Sequence, residues 1–267
     1  MEFVDFKPTQ SVESDNSVYA DVVNHCKNYR PYLVSGSISS SVHEITHCIN
    51  SDLRNGAIEK VEIPLNTNTK ICCLTKPLIT TETNAFYALE NRAIRLNEPN
   101  CRKRDFIQFI PSSFKGPRYS LYVEGQREWD GQPLYLFDEW MAYQNGAVAT
   151  IDLIKRNKYK EGSSDYIYGP LEFVAYCVAT AMAANKANSL EQKLIEFITW
   201  QLQRVFNIYF EGKGLLPWDE MDKCYERLKS GSEANDLRSF MKEKLNFTVP
   251  DGPGPAPKPD EDVDFYV

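Results

Sequence analysis

The stretch that decides the reading of this chain is Ser37-Ile38-Ser39-Ser40-Ser41-Val42-His43-Glu44-Ile45-Thr46-His47-Cys48-Ile49-Asn50-Ser51-Asp52-Leu53-Arg54. Val42, Ile45 and Ile49 recur at the spacing of one helical face, and Asn55-Gly56 is a common helix stop. The expectation is a helix from about residue 37 to 54, preceded by the short apolar run Tyr32-Leu33-Val34. On such a helix His43 and His47 stand about 40° apart around the axis and one turn apart along it. Both imidazoles can then reach one Zn²⁺ at roughly 2.0–2.1 Å. Glu44 lies beside His43, placed at the open position of the metal, where it can take a proton from water.

Composition sharpens this reading. Only three of the 267 residues are histidines, and two of them flank the H-E-x-x-H spacing. About 0.003 chance matches to that pattern are expected in such a chain, so coincidence is a poor explanation. The chain is 42% hydrophobic and 25% charged, ordinary values for a globular protein. Thirty Lys and Arg against 37 Asp and Glu leave a charge of −7. That balance argues against nucleic acid or an anionic membrane as the main partner.

No run approaches the 18 or so apolar residues of a membrane span. The opening Met1-Glu2-Phe3-Val4-Asp5-Phe6 lacks the basic and apolar regions of a signal peptide. Cys26, Cys48, Cys72, Cys73, Cys101, Cys177 and Cys224 form no C-x-x-C pair and are odd in number. Mostly free, buried thiols in a reducing compartment are therefore expected, with the cytoplasm favoured and secretion open if a leader was trimmed.

Residues 1–20 read as a loosely held polar arm, residues 21–248 as the folded domain, and residues 249–267, with five prolines and an acidic run, as a disordered tail. Between 57 and 124 the pattern predicts strands and loops. A hairpin joins 58–63 to 70–74, and two more strands span 105–110 and 118–124. Helices are expected from about 134 to 156, 170 to 185, 189 to 210 and, more weakly, 218 to 245. The fold class is α+β: an active-site helix, a small mixed or antiparallel sheet, then a mainly helical C-terminal half.

The His43-Glu44-Ile45-Thr46-His47 helix resembles the active-site helix of the zincin metallopeptidases over about 20 residues. That resemblance implies one zinc per chain with a third protein ligand. The extended motif with a third histidine is absent, since Asn50 and Leu53 occupy its later positions. His25 lies upstream and is expected to serve in a loop or core. Asp52 would point about 180° away from the histidine face unless the helix ended near residue 49. Glu139 is the preferred ligand. Its segment, Leu134 to Gly146, looks like the glutamate helix of gluzincins, and Ala142 one turn later allows close helix approach. A carboxylate in so apolar a segment is costly to bury without a partner. Asp138 is a candidate acceptor for a ligand histidine.

The resemblance implies a zinc-dependent peptidase, taken here as an endopeptidase acting on protein or peptide substrates. Glu44 would be the general base. With histidine nearly exhausted, a tyrosine is expected to stabilise the oxyanion. Tyr135 and Tyr143 flank Glu139 on its own face. Tyr166 and Tyr168 lie in a glycine-flanked loop, 162–169. The stretch Tyr119 to Glu124 is the expected sheet edge for a substrate peptide. Two other readings stand beside this one: a hydrolase of peptide cross-links in a cell-wall polymer, and a non-catalytic binding protein with a vestigial zinc helix. Nothing in the sequence indicates an oligomeric state.

Overall fold

The periodicity at Val42, Ile45 and Ile49 does produce a long helix, which forms the smaller core with its N-terminal neighbours and packs against one long helix of the second half. The computed structural model describes residues 1, 3–13, 15–55, 83–126, 129–160, 165–215 and 219–253. The chain is α+β, with a three-stranded antiparallel sheet in its first half and helices thereafter. Among the described residues, no helix is long and apolar enough to cross a membrane.

The first half comprises β1 (Val4–Asp5), α1 (Val18–His25), α2 (Ile38–Asn55), β2 (Thr83–Tyr87) and β3 (Arg92–Asn97). Ser37 starts α2 by accepting a hydrogen bond at Oγ from the Ser40 N–H at 3.1 Å, a typical serine cap. Strands β2 and β3 form a hairpin with Phe86 opposite Ile94, and β1 adds to the outside of β3 with Val4 opposite Ala93. The buried side of α2 presents Val42, Ile45, Ile49 and Leu53 to Val22 and Val23 of α1 and to Ala85 and Tyr87 of β2. Burying side chains of this size stabilises by about 1.5–3 kcal/mol each.

The second half holds α3 (Lys103–Ile107), a π-helix (Tyr119–Gly125), α4 (Tyr135–Lys155), α5 (Asp165–Lys186), α6 (Gln192–Gly212), α7 (Asp219–Ser230) and α8 (Asn235–Lys244). Helix α4 is buried almost all round, from Leu136 and Phe137 to Ile151 and Leu153, as its apolar composition requires. It packs against α2 along its length. Ser39 Oγ meets Thr150 Oγ1 at 2.6 Å, Asn145 Nδ2 meets Thr46 Oγ1 at 3.1 Å, and Asn50 meets Asp138. The partners run in opposite order, so the two helices are antiparallel.

The helices expected at 37–54, 134–156, 170–185 and 189–210 are present with small shifts of boundary. The weak region at 218–245 divides into α7 and α8. Three expectations for segments after residue 100 are corrected. The segment 105–110 is not a strand, because the Asp105 carboxylate accepts from the Arg102 N–H at 2.7 Å and starts α3. The segment 118–124 is not a strand either, so it offers no sheet edge to a substrate. Tyr119, Tyr122 and Val123 are its buried residues, a helical rather than an alternating pattern. The stretch from Asp165 onward belongs to α5, not to a loop. The hairpin expected at 58–63 and 70–74, and the neighbouring Cys72 and Cys73, lie outside the described residues.

The N-terminal arm is also tied down rather than loose. Phe6 is wholly buried, β1 pairs with β3, and Gln10 Nε2 donates to the Val23 and Cys26 carbonyls at 2.8 and 2.7 Å. At the other end Val249 is buried and the Tyr225 hydroxyl donates to Pro250 O at 2.7 Å. Most of the expected tail, 254–267, lies outside the described residues.

Candidate metal centre

Three residues expected to act together do meet. His43 and His47 project from one face of α2, and Glu139 faces them from the first half of α4. His43 Nε2 and His47 Nε2 are 3.1 Å apart. Glu139 Oε2 stands 3.4 Å from His47 Nε2 and 3.7 Å from His43 Nε2. Donor atoms around a tetrahedral zinc with bonds of 2.0–2.1 Å stand roughly 3.3–3.4 Å apart. The edges of the triangle, 3.1, 3.4 and 3.7 Å, lie on either side of that spacing. Glu139 Oε2 is buried and, among the described residues, makes no hydrogen bond. A buried carboxylate oxygen in that condition is costly unless a cation meets it, either a metal ion or the protonated His47 ring 3.4 Å away. The donor set of two imidazoles and one carboxylate suits zinc and leaves a fourth position open.

Each of the three side chains is held by a neighbour. The Tyr135 hydroxyl donates to Glu139 Oε1 at 2.6 Å, which leaves Oε2 to face the histidines. Burial and the nearby Glu139 carboxylate push the Tyr135 phenol up, so it remains a donor. His47 Nδ1 lies 3.3 Å from Asp138 Oδ2, and the Asn50 side-chain N–H donates to Asp138 Oδ1. The Asn50 oxygen in turn accepts from the Tyr87 backbone N–H at 2.6 Å, which connects the site to β2. The His43 ring meets the Tyr143 ring at 4.7 Å, nearly perpendicular, and the Tyr143 hydroxyl bonds the Tyr122 hydroxyl at 2.9 Å.

The electrostatics separate the two histidines. Burial, with the adjacent His47, holds His43 well below its ordinary range, which favours the neutral ring that a metal ligand needs. Burial opposes charge on His47 as well, but the Asp138 and Glu139 carboxylates prevail and raise it well above the ordinary value. Glu44 is half-exposed on the turn that carries His43.

The other candidates fall elsewhere. Helix α2 runs unbroken to Asn55, so the early end that would bring Asp52 to the metal does not occur. His25 is buried against Asp21, Tyr87 and the Phe6 carbonyl, as a core histidine. Tyr166 and Tyr168 fall in the first turn of α5, and their side chains lie outside the described residues. Two contributors escape a reading of the sequence. Asn50 is visible as the residue one helical turn beyond His47, but nothing there links it to Asp138. Tyr122 is hidden by the mistaken strand. No protein-family model, curated protein or solved structure matches the chain.

Proposed function

We propose that this chain is a zinc-dependent peptidase of zincin type, gluzincin-like in its ligand set, binding one zinc through His43, His47 and Glu139. The reading rests on the meeting of those three donor atoms within 3.1–3.7 Å of one another, one of them a buried carboxylate oxygen. Zinc held there supplies Lewis acidity toward a carbonyl oxygen and makes water easier to deprotonate. Glu44 takes the proton of the attacking water and passes it to the leaving amine. Asp138 and Tyr135 orient His47 and Glu139, so the ligands need little rearrangement. Because the Tyr135 hydroxyl donates to Glu139, Tyr143, whose ring packs against His43, and Tyr168 remain the candidates to meet the developing oxyanion. The substrate is a protein or peptide cut internally.

The deciding experiment combines metal analysis with cleavage of a peptide library, in the presence and absence of a chelator. One zinc per chain and chelator-sensitive cleavage are expected. Purified protein that takes up no zinc after supplementation would overturn the reading. One that binds zinc but cleaves only cell-wall cross-links would shift the substrate, and one that binds zinc and cleaves nothing would leave a binding protein.

A further inference from the structure

The described cysteines Cys26, Cys48, Cys101, Cys177 and Cys224 are all buried and unbonded. Cys101, Cys177 and Cys224 belong to the large helical core, whereas Cys26 and Cys48 share the smaller core around α1 and α2. Their sulfur atoms stand 3.0 Å apart. That is about 1 Å longer than the ~2.05 Å of a disulfide bond, so the two side chains already point at each other. Cys26 ends α1, and Cys48 follows the metal-site residue His47 on α2.

We propose that Cys26 and Cys48 form a redox modification site, a dithiol that closes to a disulfide on contact with a low-molecular-weight disulfide. Cys26 is wholly buried, while Cys48, a hydrogen-bond neighbour of the exposed Tyr32, keeps 6% exposure, so the reagent meets Cys48 first. The Cys48 sulfur, losing its proton, attacks one sulfur of R–S–S–R. One R–S⁻ leaves, and a mixed disulfide remains on Cys48. The Cys26 sulfur, also losing its proton, attacks the Cys48 sulfur and expels the second R–S⁻. The protein sulfurs lose two electrons, the reagent gains them, and the two protons end on the released thiols. The product fastens the end of α1 to the helix that carries His43 and His47. This inference is independent of the peptidase reading, because it needs neither zinc nor hydrolysis.

The test treats the native full chain with oxidised glutathione, quenches free thiols with an alkylating reagent, and maps the peptides without reduction. The expected product is a Cys26–Cys48 cross-link, with a mass loss of about 2 Da that dithiothreitol reverses. Cys26→Ser should trap a glutathione adduct on Cys48 in place of the cross-link. If that variant fails to fold, the map of the unaltered protein still decides. A persistent adduct on unaltered Cys48, a link between other cysteines, or a pair that closes only in denaturant would each overturn the proposal.

Discussion

At the scale of single residues, the proposed function separates metal binding from proton transfer. Glu44 belongs to the second role alone, because Glu139 supplies the carboxylate that faces the histidines. Glu44→Gln should therefore retain zinc by metal analysis while lowering kcat/KM by about 10²–10⁴-fold. Glu139→Ala should lose zinc and activity together. The carboxylate beside Glu139 acts at one remove, since Asp138 meets His47 Nδ1 rather than the metal position. Asp138→Asn should weaken zinc affinity by about 10–100-fold in a competition titration, and a wild-type affinity would remove Asp138 from the site. Much of this was legible in the sequence. The two histidines and Glu44 are close along the chain, and helical geometry alone brings them together. Asn50 and Tyr122 were not legible, because their roles come from contacts with Asp138 and Tyr143 on a different element.

At the scale of elements, the close packing of α4 and α5 holds Tyr143 under His43. A methyl group on Gly169 would stand 2.5 Å from Tyr143 Cδ1 and 3.0 Å from the Arg118 Nε. Gly169→Ala should consequently push the Tyr143 ring from its place. It should cost about 1–3 kcal/mol in urea denaturation and weaken zinc binding at the same time. Unchanged stability would show that α5 shifts freely at that point. The elements also show where pattern reading succeeds. Long helices such as α2, α4 and α6 repeat their apolar spacing often enough to be recognised. Short segments do not. Runs of only six or seven residues were read as strands at 105–110 and 118–124, and local capping and burial at Tyr122 and Val123 made them helical.

At the scale of the whole molecule, the N-terminal arm is fastened through His25. Nδ1 of His25 lies 2.6 Å from the Asp21 carbonyl oxygen and Nε2 lies 2.9 Å from the Phe6 carbonyl oxygen. Both ring nitrogens thus face acceptors, an arrangement that suits the protonated ring. Burial opposes that charge, but the Asp21 side chain and carbonyl and the Phe6 carbonyl outweigh it, and the His25 pKa is raised. A raised folded pKa means that this stabilisation is fully present below the unfolded value of about 6.5 and is lost as pH rises through the folded value. Thermal unfolding followed across that window should show Tm falling with rising pH. His25→Gln should flatten the slope, and an unchanged slope would place the pH dependence elsewhere.

The sequence by itself determined the helix that bears His43, Glu44 and His47, the shared face of the two histidines, and the succession of later helices. Those properties follow from spacing along a regular helix, which depends on neighbours a few residues away. Tertiary structure decided which carboxylate faces the two histidines. Glu139 lies 92 residues beyond His47, and only the antiparallel packing of α2 and α4 brings its oxygen to 3.4 Å. It also set Asp52 aside, anchored the arm, and brought Cys26 to Cys48. Each is a contact between distant parts of the chain, and local periodicity carries no information about such contacts.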